Sequence, residues 1–283
     1  MRKIATIGFF DGVHCGHRYL FDRLSRESHE RGLAPLIVTF DIHPRAALQA
    51  DYIPKLLTTP EERAALLSQY GEVLMLSFRD VQPLTAAQFL ELLHTEYGVE
   101  VLLMGYDHRF GSDRMTHPQD YRRAGEAQGV EVLPVGEYID GELHVSSTEI
   151  RTALEHGNIA VANELLGRPY CVRGKVVHGK AVGRTIGFPT ANILPDNPLK
   201  IIPKTGVYMA KVNTPTMDNA PAFVNISAEG VIEAYIPSFK GDLYGAELEL
   251  RFVRYLREER KFDSLEDLRL QIKADVDNIL RPA

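Results

Sequence analysis

Only two cysteines, Cys15 and Cys171, occur in 283 residues, and they lie far apart. That excludes a disulfide framework and leads to the expectation of a reducing, cytoplasmic setting. No apolar run approaches the roughly 20 residues of a membrane span, so no membrane partner is expected. Met1-Arg2-Lys3-Ile4 runs directly into a strand-like segment, and neither a signal nor a transit peptide is expected. There is no basic stripe of the kind nucleic acids need. Residues 1–167 carry 15 Lys and Arg against 24 Asp and Glu, a net of −9, and the remainder carries 17 against 14, a net of +3, giving −6 overall. Any phosphate recognition must therefore be local, through loops and helix ends. Repeats and low-complexity tracts are also missing. What is present is 45% hydrophobic and 25% charged, and its length suggests about two domains.

The first half alternates. Strand-like segments at 4–9, 34–40, 72–77, 100–105 and 130–135 are separated by helical patterns at 17–31, 60–70, 85–97 and 118–128. This spacing predicts crossover units and an α/β domain with a parallel sheet covered on both faces. Thr59-Pro60-Glu61-Glu62 reads as a helix start. Helices from Ser146 to about His156 and over 159–166 precede Gly167-Arg168-Pro169, a hinge that divides domains 1–167 and 168–283. Beyond it the rhythm changes. Runs at 170–178, 206–213, 220–226, 230–236 and 244–255, punctuated by Gly and Pro, predict a small antiparallel β-barrel or sandwich. Residues 264–280 return to helical period, with Leu265, Leu268, Ile272, Val276 and Ile279 on one stripe. Ser264 is the expected N-cap, and Asp267 is short for a capping-box partner.

Gly8-Phe9-Phe10-Asp11-Gly12-Val13-His14-Cys15-Gly16-His17 joins a strand to a helix. Such a turn aims backbone N–H groups and a positive dipole end at a phosphate, and histidines three apart share one helical face. Zinc would require further ligands, and Cys15 points to another face. Ser146-Ser147-Thr148-Glu149-Ile150-Arg151 caps a helix in its plainer reading, but three hydroxyls and an arginine also form a nest for triphosphate oxygens. Gly179-Lys180-Ala181-Val182-Gly183-Arg184-Thr185-Ile186-Gly187-Phe188-Pro189-Thr190-Ala191-Asn192 is glycine-rich without the Gly-Lys-Ser/Thr of a Walker loop. Thr190 and Asn192 are hard oxygen ligands suited to magnesium. Glu233, on an apolar strand, reads by alternation alone as either a solvated or a functional carboxylate.

The histidine turn paired with the Ser146–Arg151 element resembles the nucleotidyltransferase superfamily. Together with Thr39-Phe40-Asp41-Ile42-His43-Pro44 and Gly105-Tyr106-Asp107-His108-Arg109-Phe110-Gly111, it resembles the bacterial FAD synthetase domain. The glycine loop, Glu233, Asp242-Leu243-Tyr244-Gly245 and Arg257-Glu258-Glu259-Arg260-Lys261-Phe262 resemble the riboflavin kinase domain, a compact barrel. Nearly the whole chain is thus similar to bacterial bifunctional riboflavin kinase/FAD synthetases. The resemblance implies a Rossmann-like transferase domain in which His14 and His17 are catalytic and Gly8, Phe9, Asp11, Gly16, Gly105, Asp107, Ser146, Ser147, Thr148 and Arg151 bind nucleotide. In the barrel it implies Glu233 as general base, Gly179, Gly183, Arg184, Gly187, Pro189, Thr190 and Asn192 at the nucleotide, Thr190 and Asn192 on Mg2+, and Arg257 at the flavin. ATP, riboflavin, FMN and FAD are the implied substrates and products, and self-association is left open. Two stretches depart from the family pattern. Asn225-Ile226-Ser227-Ala228-Glu229-Gly230 is shortened and lacks a Pro-Thr-Phe, so the flavin side of that pocket is expected to be built differently. His108 stands where an apolar residue is usual. The competing reading keeps an adenylyltransferase with another substrate, such as phosphopantetheine or nicotinamide mononucleotide, beside a non-catalytic flavin- or nucleotide-binding barrel. A third, a non-enzymatic flavin sensor, would not need both histidines.

Overall fold

The computed structural model describes residues 1–106, 108–136, 138, 145–179 and 182–280. They group into two compact units, Met1–Ser147 and Thr148–Ala283.

The first unit runs β1 (Lys3–Ile7), α1 (Cys15–Arg31), β2 (Ala34–Phe40), α2 (Pro44–Leu48), α3 (Pro60–Leu67), β3 (Glu72–Leu76), α4 (Phe78–Val81), α5 (Ala86–Tyr97), β4 (Val99–Met104), α6 (Pro118–Ala127) and β5 (Glu131–Pro134). All strand pairs are parallel, in the order β3-β2-β1-β4-β5. Alternate strand residues feed opposite faces. Ala5, Ile7, Leu36, Val38, Leu102 and Met104 pack into one core layer, and Ile4, Ile37, Val101 and Leu103 into the other. Burial on both faces explains why the strands read as unbroken apolar runs. α3 starts on a capping box, with Thr59 Oγ1 accepting the Glu62 amide at 3.2 Å and the Glu62 carboxylate accepting the Thr59 amide at 2.9 Å. The strand order reverses direction between β1 and β4, and open α/β sheets hold ligands at the carboxyl ends of such a pair.

The helix α7 (Ser147–Glu155) crosses the division, and α8 (Ile159–Leu166), β6 (Cys171–Val177), α9 (Val182–Thr185), β7 (Thr190–Pro195), β8 (Gly206–Thr214), β9 (Met217–Ile226), β10 (Ile232–Tyr235), β11 (Glu247–Arg257) and α10 (Leu265–Leu280) follow. The six strands form a closed antiparallel barrel in the order β10-β7-β6-β11-β8-β9, sealed by β9 against β10. The barrel reading holds, but β7 was not expected as a strand: Thr190–Asn192 reads as the tail of the glycine loop. Burial of Ala191 and Ile193 draws the segment into the wall. α8 docks on β11, where Asn163 Nδ2 donates to the Phe252 carbonyl at 2.9 Å and Asn163 Oδ1 accepts the Tyr170 amide at 2.7 Å. The division at 147/148 therefore falls ahead of the Gly167-Arg168-Pro169 turn.

α10 starts where expected. Ser264 Oγ accepts the Asp267 amide at 3.1 Å and donates to the Asp267 carboxylate at 2.6 Å. Asp267 thus reaches the cap hydroxyl, not the cap backbone. Of the expected stripe, Leu268 and Ile272 line a cleft while Leu265 is exposed, and the side chain of Ile279 lies outside what the structure describes.

Candidate active sites

β1 ends at Ile7, and the backbone then turns sharply into α1. Phe10, Gly12 and Val13 all take positive φ, at 54°, 82° and 43°. For Phe10 and Val13 this left-handed geometry costs about 1–2 kcal/mol each, and Val, being β-branched, is the less tolerant. Glycine is required at position 8, because a Cβ there would stand 2.7 Å from the Phe10 ring. His14 is not on the first helical turn, as the spacing suggests, but is the N-cap of α1. Its Nδ1 accepts the His17 amide at 3.4 Å, which in the neutral ring leaves the proton on Nε2. The two imidazoles stack, with centroids 3.5 Å apart and planes at 20°. They share one site through a cap and its helix, not through one helical face.

Asp11 departs most from expectation. It is 4% exposed, and its carboxylate accepts the amides of Leu57 and Thr58 at 3.0 Å and the Thr58 hydroxyl at 3.1 Å. Thr58 Oγ1 in turn accepts the Gly12 amide at 3.0 Å. Asp11 thus ties the turn to the segment that leads into α3. Nearby, Arg63 on α3 is fully buried, and its guanidinium lies 4.1 Å from the Phe9 ring centre while Nη2 donates to the Phe40 carbonyl at 2.5 Å. Burial pulls its pKa below the ordinary arginine value, opposed by Asp11, Glu61 and Asp41. Ser147 Oγ donates to the Asp11 carbonyl at 2.8 Å. Thr148 is exposed and Arg151 half-buried on the turns of α7 that follow. Gly105 closes β4, next to β1 in the sheet. Asp107 lies outside the described residues. The loop after it is held by Tyr121, whose single hydroxyl proton is shared between the Phe110 and Met115 carbonyls, each at 3.0 Å.

In the barrel, a cleft of about 820 Å³ brings together Gly179, Gly183, Thr190, Asn192, Glu233 and Arg257. The register explains why. Asn192 on β7 pairs with Glu233 on β10, and Glu233 pairs with Asn225 on β9. Val177 flanks Asn192, and Val207 flanks Asn225. One rung of the barrel wall therefore carries amide, carboxylate and amide side by side, all facing the cleft. Thr190 lies two residues from Asn192 and so shares its face. A Cβ at 179 would stand 2.1 Å from Asn192 Nδ2, so any larger residue there displaces the Asn192 side chain. Arg184, Gly187 and Pro189 are exposed and do not line the cleft, and Lys180 and Ala181 lie outside the described residues. The same rung continues through Val207 to Arg257 on β11, which is ion-paired to Asp275 of α10, with Nη2–Oδ2 at 2.7 Å.

The FAD synthetase family model matches residues 1–149, and the riboflavin kinase model matches residues 166–282. The bifunctional riboflavin kinase/FMN adenylyltransferase of Escherichia coli (strain K12) is 35% identical over 285 residues, covering 96% of this chain and 90% of the relative. The protein of the same description from Bacillus subtilis (strain 168) is 34% identical over 297 residues, covering 99% and 92%. The chain belongs to the bifunctional riboflavin kinase/FMN adenylyltransferase family. A crystal structure described as a macrolide-efflux protein from Streptococcus pneumoniae shares the fold, with a TM-score of 0.88 and 32% identity over 98% of this chain and 93% of that one. Among the described residues no helix is long and apolar enough to cross a membrane.

The 225–230 stretch forms a tight hairpin. The Ser227 amide donates to the Val231 carbonyl at 2.9 Å, and the Gly230 amide to the Ser227 carbonyl at 2.9 Å. Glu259 accepts the Ala228 amide at 3.2 Å and tethers the hairpin to the exit of β11. Asn225, Glu259 and Asp275 were not singled out from the sequence. Register alone reveals Asn225, since it lies eight residues from Glu233 in the chain and directly opposite it in the sheet.

Proposed function

We propose that this chain makes FMN and then FAD, each step drawing on its own ATP. The transferase half is the Met1–Ser147 unit, and the kinase half is the barrel of the Thr148–Ala283 unit, on which α8 docks. The observation that carries the kinase half is the Asn192–Glu233–Asn225 rung, with Thr190 beside it, opening on a cleft large enough for a nucleotide and a flavin. Glu233 takes the proton from the ribityl 5′-hydroxyl as that oxygen bonds to the γ-phosphorus, and ADP leaves. Magnesium fits the all-oxygen donors: Thr190 and Asn192 would hold it, and it would neutralise charge on the triphosphate. Gly179 and Gly183 let the backbone approach the phosphates, and Arg257 stands at the flavin end.

In the transferase half, a phosphate oxygen of FMN bonds to the α-phosphorus of ATP and pyrophosphate departs. No covalent enzyme intermediate is needed, so alignment and charge stabilisation do the work. His14 Nε2 and His17 donate to phosphate oxygens, and Gly8, Phe9, Gly16 and Gly105 shape the nucleotide pocket. The roles of Ser146, Ser147, Thr148 and Arg151 as triphosphate ligands, and of Asp107, rest on family resemblance. Asp11 acts here by holding the turn. The test is turnover of riboflavin with Mg-ATP, with FMN and FAD separated by chromatography. Formation of both is expected. Conversion of supplied FMN to FAD without any phosphorylation of riboflavin would favour the non-catalytic barrel.

A further inference from the structure

We propose that the segment Leu57–Arg63 is a brace that holds the histidine turn in its left-handed form, with Thr58 and Arg63 as positioning residues for adenylyl transfer. Two independent links carry this. The first is the exchange between Asp11, Thr58 and Gly12, three hydrogen bonds to the Asp11 carboxylate from residues 57 and 58 and one from Gly12 to Thr58 Oγ1, all at 3.0–3.1 Å. It grips the turn at Asp11 and Gly12, between the two left-handed non-glycine residues, Phe10 and Val13. The second is Arg63. Its guanidinium packs on Phe9 and donates to the Phe40 carbonyl, so one side chain fixes the chain just after β1 and at the end of β2. Both ends belong to the carboxyl edge of the sheet, where the reacting phosphates must lie.

Arg63 is a poor choice for stability alone. It is fully buried, and its Nε and Nη1 have no hydrogen-bond partner among the described residues. A packed apolar side chain would fill the same space without desolvating a cation. Its presence is explained if the planar guanidinium is needed to set Phe9 and the turn that follows it.

The inference rests on adenylyl transfer at this site, which the unaltered protein's conversion of FMN to FAD tests by itself. Given that activity, Arg63→Met is expected to melt at the same temperature or higher, yet to lose about tenfold to a hundredfold in kcat for FAD formation. Riboflavin phosphorylation by the same sample should be unchanged. Arg63→Ala should recover activity when guanidinium or ethylguanidinium is added, a response that a merely structural role would not give. Arg63→Lys, which keeps the cation over Phe9, should fall between. Thr58→Val removes the hydroxyl link without altering shape and should lower FAD formation in the same way, so it decides the matter if the Arg63 variants do not fold. Wild-type kcat and KM in a folded Arg63→Met or Thr58→Val protein would overturn the proposal.

Discussion

Replacing Asp275 with asparagine should loosen α10 from the kinase cleft while leaving the barrel folded. Arg257 meets Asp275 through Nη2 at 2.7 Å and Nε at 3.0 Å, and the two side chains are only 16% and 12% exposed. Surface pairs contribute about 0–1 kcal/mol, whereas breaking a fully buried pair costs about 3–5 kcal/mol. At these exposures a value near 2 kcal/mol follows. Among the helix's described residues no side chain is fully buried, Leu265 and Leu270 are exposed, Val276 is half-buried, and Leu268 and Ile272 add apolar lining to the cleft. A loss of about 2 kcal/mol shifts the docked-to-undocked ratio about thirtyfold. Hydrogen exchange should therefore show amide protection over residues 265–277 falling by about that factor, with the barrel strands unaffected. The KM for riboflavin should rise, and FAD formation from supplied FMN should not change. Unaltered protection and unaltered KM would refute the reasoning. The double reversal Arg257→Asp with Asp275→Arg separates two roles for Arg257. It should restore protection, and it restores KM only if Arg257 acts through α10 without touching the flavin.

Glu233→Gln should reduce FMN formation by about a hundredfold or more while FAD still forms from supplied FMN, as product chromatography will show. His17→Ala should do the converse, and loss of both steps in either folded variant would defeat the two-site division. Gly179→Ala places a methyl 2.1 Å from Asn192 Nδ2, so Asn192 must move, and the KM for ATP in riboflavin phosphorylation should rise. Burial alone would raise the Glu249 pKa, but hydrogen bonds from Arg173 and Arg251 overcome it and hold the carboxyl below its ordinary value. Its stabilising contribution is therefore present above the unfolded value near 4.5 and is lost as pH falls through the lower, folded value. Thermal unfolding as a function of pH should show the acid loss of barrel stability blunted in Glu249→Gln.

The alternation of strand and helix was legible because the central strands β1, β2 and β4 are buried on both faces and each long helix carries a cap or a terminal glycine, whereas the edge strands β3 and β5 are partly exposed and read from their apolar residues alone. α2 and α4 were not, since helices of five and four residues leave no period to read. β7 was hidden by its neighbours: a loop rich in glycine runs straight into Thr190, and only burial of Ala191 and Ile193 marks the change. For the sites, the residue types were legible and their partners were not. Asp11 looks like a ligand in sequence, but its lone pairs are taken by amides 46 and 47 residues away. Arg63 reads as one more charge in a helix start, and only the packing shows that it is fully buried. Asn225 becomes the neighbour of Glu233 through strand pairing, which spacing along the chain does not encode.

A closed hoop of strands has no free margin at which to loosen. Glu233 is held on both sides by paired strands, and those by their neighbours in turn, until the ring returns to where it began. Drift in the wall would move the carboxylate and its amide flanks together, so change in what the cleft accepts is confined to what hangs from the rim: the glycine loop, the 227–231 hairpin and the terminal helix.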